Sequence, residues 1–172
     1  MTPQREQRIE YVTQHRQSNL CVVLDHVENP HNVGAILRSC DAFGVGAVHL
    51  LYTGKQKPRL SDIRGTAMSA AKWLNLHRWH SFDALATHLV DARMHIYPTV
   101  LTDQAIDPAV ADLTQPTALV IGNEGVGVLP MWQSVATASL RLPMIGFVQS
   151  LNVSVAAALV LYEAYRQRHP TR

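Results

Sequence analysis

The chain has 172 residues, 47% of them apolar and 16% charged, which is enough for a sizeable core and excludes intrinsic disorder. Its formal charge of +2 excludes a uniformly basic protein, yet Arg5, Arg8 and Arg16 cluster near the start and Lys55, Lys57, Arg59 and Arg64 in one later segment, local patches that can bind phosphate. The polar N-terminus lacks the apolar core of a signal peptide and no apolar run reaches the length of a membrane span, so a soluble, cytoplasmic single domain over residues 1–172 is expected.

Residues 3–17 read as a polar, Arg-bearing helix for the surface or for a partner. Leu20 to Leu24 is a short apolar run, a buried strand. Asn32 to Phe43 carries Val33, Ile36, Leu37 and Cys40 at helical spacing and stops at Gly44. Val45 to Leu51 is a second strand, followed by a polar loop over 54–64. Met68 to Trp73 reads as a short helix and Leu74 to Trp79 as a strand. Ser81 caps a helix reaching about Ala92, with Phe82, Leu85, Ala86 and Leu89 on one face. Strands are expected over His95 to Leu101, Thr117 to Gly122 and Ala138 to Leu142, with a short helix over Leu129 to Ala136. The last element is an apolar helix from Val153 to about Tyr165, with Asn152 where an N-cap belongs. Alternating strands and helices define an α/β fold with a mainly parallel, Rossmann-like sheet.

Cys21 and Cys40 have no disulfide or zinc spacing and read as small core residues. The nine histidines are scattered without ligand spacing, so no metal is expected. No Gly-x-Gly-x-x-Gly follows the first strand, which removes the usual ground for a dinucleotide enzyme.

Three segments carry the chemistry. In the first, Arg38 interrupts the apolar helical stretch six residues, nearly two turns, beyond Asn32, a costly place unless its guanidinium finds an anion; its stem can equally cover apolar surface with the head in water. In the second, Gly122-Asn-Glu-Gly-Val-Gly127 follows a strand, where glycines permit close approach to a ligand; alone it also fits an ordinary turn. In the third, Ser150 and Asn152 stand as a polar pair inside an apolar run, and Gly146 lets the backbone approach something closely. A helix N-terminus there suits a polar ligand or a nucleic-acid backbone, while periodicity alone reads as a capped core helix with no ligand.

Asn29-Pro-His-Asn-Val-Gly-Ala-Ile-Leu-Arg-Ser-Cys-Asp-Ala-Phe-Gly44, Ala118-Leu-Val-Ile-Gly-Asn-Glu-Gly-Val-Gly127 and Pro143-Met-Ile-Gly-Phe-Val-Gln-Ser-Leu-Asn-Val-Ser-Val-Ala157 resemble, in order, the three signature motifs of the SpoU/TrmH-type RNA 2′-O-methyltransferases of the SPOUT superfamily. The resemblance covers about residues 20 to 168. It implies a C-terminal trefoil knot that holds S-adenosylmethionine, and a homodimer with the active site close to the subunit interface.

By the same resemblance Arg38 is the catalytic arginine, Asn32 its motif-one partner and Glu124 the motif-two glutamate, with Ser150 and Asn152 completing the site. Thr99, Leu101, Gly122, Asn123, Gly125, Leu142, Ile145 and Leu151 are the expected cofactor contacts, on three loops that follow strands. The segment from Arg5 to Gln17 resembles the TrmH tRNA branch, which methylates the D-loop guanosine at tRNA position 18. The chain stops at Arg172, without the C-terminal extension many of those enzymes carry, so RNA contact is expected from Arg5, Arg8, Lys55, Lys57, Arg59 and Arg64 and from the partner subunit. The wobble ribose of the anticodon and ribosomal RNA are the alternative targets, and a non-catalytic RNA-binding homologue is the alternative class.

Overall fold

Gln17–Asp25 forms the central strand, β1, and every residue from Leu20 onward in it is buried. Burial without alternation requires cover on both faces, which explains the unbroken apolar run. The computed structural model describes residues 2–54, 58, 59, 61, 62, 65, 67 and 70–170. The other strands among them are β2 (Val45–Leu51), β3 (Asn75–Trp79), β4 (His95–Pro98) and β5 (Thr117–Ile121), and all pair in parallel in the order β3-β2-β1-β5-β4. The order reverses between β1 and β5.

Among the described residues the helices against the sheet are α1 (Pro3–Gln14), α2 (Pro30–Ala42), α3 (Phe82–Asp91) and α4 (Val153–Arg168). On one face Val33, Ile36 and Leu37 of α2 and Ala157, Val160 and Leu161 of α4 share a core with Leu20, Val22 and Leu24 of β1. On the other, Phe82, Leu85 and Leu89 of α3 join Trp132 against Cys21, Val23 and Val120. Alternate residues of β1 thus feed opposite cores. Both cysteines are buried and free, and burial pushes the Cys21 thiol up to about 12 and the Cys40 thiol up as well, which suits the core role read from the sequence.

Several expected boundaries move. The first helix ends at Gln14 because Gln17 already belongs to β1. The helix expected from Asn32 begins at Pro30, with Asn29 as its N-cap: the Asn29 Oδ1 accepts from the backbone N–H of His31 at 2.9 Å. Pro30 fits this first turn, where its missing N–H would have had no helical partner. Ser81 and Asn152 are the N-caps expected of them, accepting from Ala84 and Ser154 respectively. Gly44, at φ +66°, ends α2 in the left-handed conformation.

The expected helix over Leu129 to Ala136 is only a 3-10 turn, Pro130–Ser134. The one over Met68 to Trp73 is described as a 3-10 turn at Ala70–Lys72, with residues 68 and 69 outside the described ones. The expected strand Ala138 to Leu142 is replaced by single bridges from Leu140 to Thr99 and Ile106. Leu140 donates to the Pro98 carbonyl at 2.8 Å and accepts from Val100 N–H at 2.9 Å, while its neighbours bond Ile106 on the other side. Pro98 in turn closes β4 before the expected Leu101.

Among the described residues no helix is long and apolar enough to cross a membrane.

Candidate active site and cofactor cavity

The site forms at the C-terminal ends of the strands, on the loops that follow β4 and β5 and at the start of α4. Asn152 caps α4, its Oδ1 accepting from the Ser154 backbone N–H at 2.9 Å and from the Ser154 hydroxyl at 2.6 Å. Those two bonds fix the amide's orientation and aim its Nδ2 at Asn32 Oδ1, 3.2 Å away. Asn32, in the first turn of α2, then donates its own Nδ2 to Glu124 Oε1 at 2.8 Å. One chain of hydrogen-bonded side chains, two amides and a carboxylate, therefore joins all three sequence motifs across separations of 120 and 92 residues.

Glu124 is held by the shape of its loop. The Asn123 Oδ1 accepts from Gly125 N–H at 2.8 Å and Val126 N–H at 3.2 Å, and its Nδ2 donates to the His26 carbonyl at 2.8 Å. Asn123 and Gly127 exchange two backbone bonds of 2.9 Å each, with Gly127 at φ +75°. Gly122 is required by close approach: a Cβ there would lie 2.3 Å from the Gly127 carbonyl carbon and 2.4 Å from Val128 N. By contrast Gly146 has no atom of the chain within 4 Å of where a Cβ would lie and is not in the left-handed region.

Beneath the loop lies a buried polar hub that the sequence reading missed. Asp25, fully buried at the end of β1, accepts from Leu129 N–H at 2.6 Å, from Trp132 Nε1–H at 2.9 Å and from His26 Nδ1 at 2.5 Å. His26 occupies the left-handed region at φ 55°, and its Nε2 meets Thr53 after β2. The hub thus ties the turns after β1, β2 and β5 together and anchors both flanks of the Glu124 loop. The available signal was a carboxylate closing an otherwise apolar strand, which burial makes costly unless several donors converge on it.

A cavity of about 620 Å³ opens beside this hydrogen-bonded chain. Of the expected cofactor contacts, Thr99, Leu101, Gly122, Asn123, Gly125, Leu142 and Leu151 line it, as do Glu124, Ser150 and Asn152. Ile145 does not: it is fully exposed, next to an equally exposed Phe147. Arg38 lies outside the cavity wall on the exposed side of α2, about 9 Å along the axis from Asn32 at 1.5 Å per residue. Arg5, Arg8 and Arg59 are exposed, whereas Lys55, Lys57 and Arg64 lie outside the described residues. No group of three His, Cys, Asp or Glu is placed to hold a metal among the described residues.

The cavity fits a nucleoside-sized, partly apolar molecule. Its floor combines Leu140, Leu142, Val153 and Val160, and its rim offers the backbone of the Gly122–Gly127 loop. A parallel α/β sheet with a nucleoside-sized cavity beyond the C-terminal ends of β4 and β5, lined by Glu124 and Asn152, has the form of a small-molecule binding site.

Its family is established by likeness. Residues 19–162 match the SpoU rRNA Methylase family, to which this chain belongs. The tRNA (guanosine(18)-2'-O)-methyltransferase of Escherichia coli K12 is 39% identical over 168 residues, which are 98% of this chain and 72% of that protein. The crystal structure of the Aquifex aeolicus TrmH/SpoU tRNA modifying enzyme superposes with a TM-score of 0.83 at 34% identity, covering 95% of this chain and 83% of that one. The SpoU methyltransferase AviRb from Streptomyces viridochromogenes, in complex with the cofactor AdoMet, gives 0.79 at 30% identity, covering 91% of this chain and 60% of that one.

Proposed function

We propose that this chain is an S-adenosylmethionine-dependent tRNA 2′-O-ribose methyltransferase that modifies the D-loop guanosine at position 18. The observation that carries the reading is the Asn152–Asn32–Glu124 chain beside a nucleoside-sized cavity, in a protein 39% identical to an enzyme of that name. When bound, S-adenosylmethionine supplies an electrophilic methyl group. Thr99, Gly122, Leu142 and Leu151 are the residues that would hold it.

Methylating a ribose requires the 2′-hydroxyl to be aimed, its negative charge to be stabilised as the proton leaves, and the adjacent phosphate to be fixed. Glu124 has acceptor capacity beyond its bond to Asn32, so its carboxylate receives a hydroxyl of the RNA while Asn32 keeps it oriented. Ser150, exposed at the cavity mouth, is placed to contact the same nucleotide. Arg38 clamps the phosphate and stabilises the developing alkoxide. A guanidinium is not deprotonated in proteins, so the proton leaves to solvent rather than to Arg38. Arg38→Lys tests this: near-native rates with a shifted alkaline limb would make Arg38 a true base instead.

The homodimer belongs to the same proposal. Ile145, Phe147 and Val148 are exposed on the loop beside the cavity, and Val155, Leu159 and Tyr162 form an exposed stripe at helical spacing on α4. A second copy covering this surface gives Ile145 a partner and closes the site. The C-terminal knot is supported by Leu140, which bridges Thr99 and Ile106, two arms of one loop. A single catalytic domain acting on cytoplasmic tRNA completes the proposal.

The deciding experiment is transfer of labelled methyl groups to unmodified tRNA transcripts, with the modified nucleotide mapped and Arg38→Ala run alongside. Label on the D-loop guanosine, lost in the variant, is expected. Label on the anticodon ribose or only on ribosomal RNA would move the protein to another branch.

A further inference from the structure

A second cavity, of about 640 Å³, lies at the opposite end of the sheet between α1, the end of α2 and the end of α4. Phe43 and Gly44 line it where α2 ends, and Gln17 where β1 begins. The methyl-transfer site sits at the first residue of α4 and this groove at its last turn. The 16 residues of that helix at 1.5 Å each separate the two by about 24 Å.

The lining has an unusual composition. From α1 come Arg5, Arg8 and Tyr11, from α4 Tyr165 and from the segment before β3 Trp73. The two acids of α1, Glu6 and Glu10, do not line it, so the helix turns its cations inward and its anions outward. The aromatic surfaces stand in prepared pairs. Tyr11 stacks on His15 with ring centres 3.9 Å apart, and Tyr165 stacks on His169 at 4.4 Å, both pairs one helical turn apart. In each pair the histidine Nδ1 meets the tyrosine's carbonyl, at 2.7 Å and 3.0 Å, which fixes the ring. The Arg8 guanidinium lies 5.5 Å from the Tyr11 ring centre. Tyr11, Trp73 and Tyr165 nevertheless stay 52%, 41% and 39% exposed.

Part-exposed aromatic rings between arginines suit a single-stranded nucleotide: a base stacks on the outer rings of the two pairs or on Trp73, the backbone phosphates meet Arg5 and Arg8, and Asp41 of the same lining is already paired with Arg16 at 2.6 Å. We infer that this groove is a second RNA contact that captures an unpaired nucleotide of the substrate remote from the methylated ribose. The inference rests on the RNA-modifying function proposed above and adds a distinct binding site to it. Fixing the RNA at two points about 24 Å apart, the length of α4, would select folded tRNA over short fragments. The arginines supply attraction without sequence preference, and the stacked pairs supply a preference for an unstacked base.

The test uses the full-length chain and an unmodified tRNA transcript. Affinity for the transcript is measured as a function of salt, alongside methyl-transfer kinetics, calorimetry with S-adenosylmethionine and light scattering for oligomeric state. Replacing Tyr11 and Tyr165 together by Ala is expected to weaken tRNA binding at least tenfold, raise KM for tRNA and leave kcat at saturation and cofactor affinity unchanged. The Tyr→Phe pair, which keeps the ring faces, should restore binding. Replacing Arg5 and Arg8 by Ala should lower the slope of log affinity against log salt by about 1.5. Unchanged tRNA affinity in both variants would overturn the inference. So would a shift of the tyrosine variant to a smaller oligomer with undiminished tRNA affinity, which would make the groove a contact between copies. Weakened binding in the variants of a protein that methylates no tRNA would retain the groove and refute the proposed reaction.

Discussion

Replacing Gly122 by Ala perturbs the site without touching a functional side chain. The added Cβ would meet the Gly127 carbonyl carbon at 2.3 Å, Val128 N at 2.4 Å and the Gly127 carbonyl oxygen at 2.6 Å, all backbone. Carbon contacts settle near about 3.5 Å, so the loop must open by about 1 Å. That displacement stretches the paired Asn123–Gly127 backbone bonds from 2.9 Å to about 4 Å and breaks both. Two lost bonds at about 1 kcal/mol each, plus about 1–2 kcal/mol of overpacking, give a destabilisation of about 3–4 kcal/mol. For a chain of this size the melting temperature should fall by roughly 10 °C. Because Glu124 rides on the same loop, a 1 Å shift should also cost about a hundredfold in methyl transfer. Urea unfolding, calorimetry with S-adenosylmethionine and initial rates check the three quantities. A variant that melts within a degree of the parent and binds cofactor equally well would refute the close-approach argument.

Asp25→Ala strips an acceptor from the buried Trp132 Nε1 and Leu129 N–H, and two orphaned donors should cost about 3–5 kcal/mol in chemical denaturation; a loss under 1 kcal/mol would remove the hub from the fold's supports. Asn32→Ala loses only partly exposed contacts and should leave stability within about 0.5 kcal/mol while lowering kcat about a hundredfold, since Glu124 is no longer aimed. Equal losses in stability and rate would make Asn32 structural. His49 is buried in β2, accepts from Trp79 Nε1–H at 3.0 Å and faces His77 and His88, and burial, aided by those two rings, pushes its pKa down to about 4. The unfolded chain therefore binds the His49 proton first as pH drops. Its stabilising contribution is complete above about pH 6.5 and lost progressively down to about pH 4, a fall of about 3 kcal/mol. Urea midpoints at pH 7 and 4.5 should show the slope, and His49→Phe should flatten it despite an overall loss from the orphaned Trp79 indole.

The sequence by itself determined the elements whose causes are local or periodic. The buried run from Leu20, the helical spacing of Val33, Ile36, Leu37 and Cys40, and the caps at Ser81 and Asn152 all fall where residue chemistry put them. The three motifs were legible for the same reason, since each is a short continuous string. What failed depended on contacts far along the chain. Leu140 sits in the alternating run Ala138-Ser-Leu-Arg-Leu142 and reads as a strand, but its hydrogen bonds are taken by Pro98 and Val100 on one side while its neighbours bond Ile106 on the other. Ile145 sits between matched cofactor positions, yet its side chain leaves the cavity for the exposed apolar loop. Asp25 was passed over at the end of an apolar strand because its three donors come from the next residue and from residues 104 and 107 positions away. Nor does any string place Asn32 between Glu124 and Asn152, or join α1 and α4 around one groove. Those juxtapositions arise only when the parallel sheet brings the ends of β1 and β5 side by side, because hydrogen bonds and stacking act over a few ångströms whatever the separation in sequence.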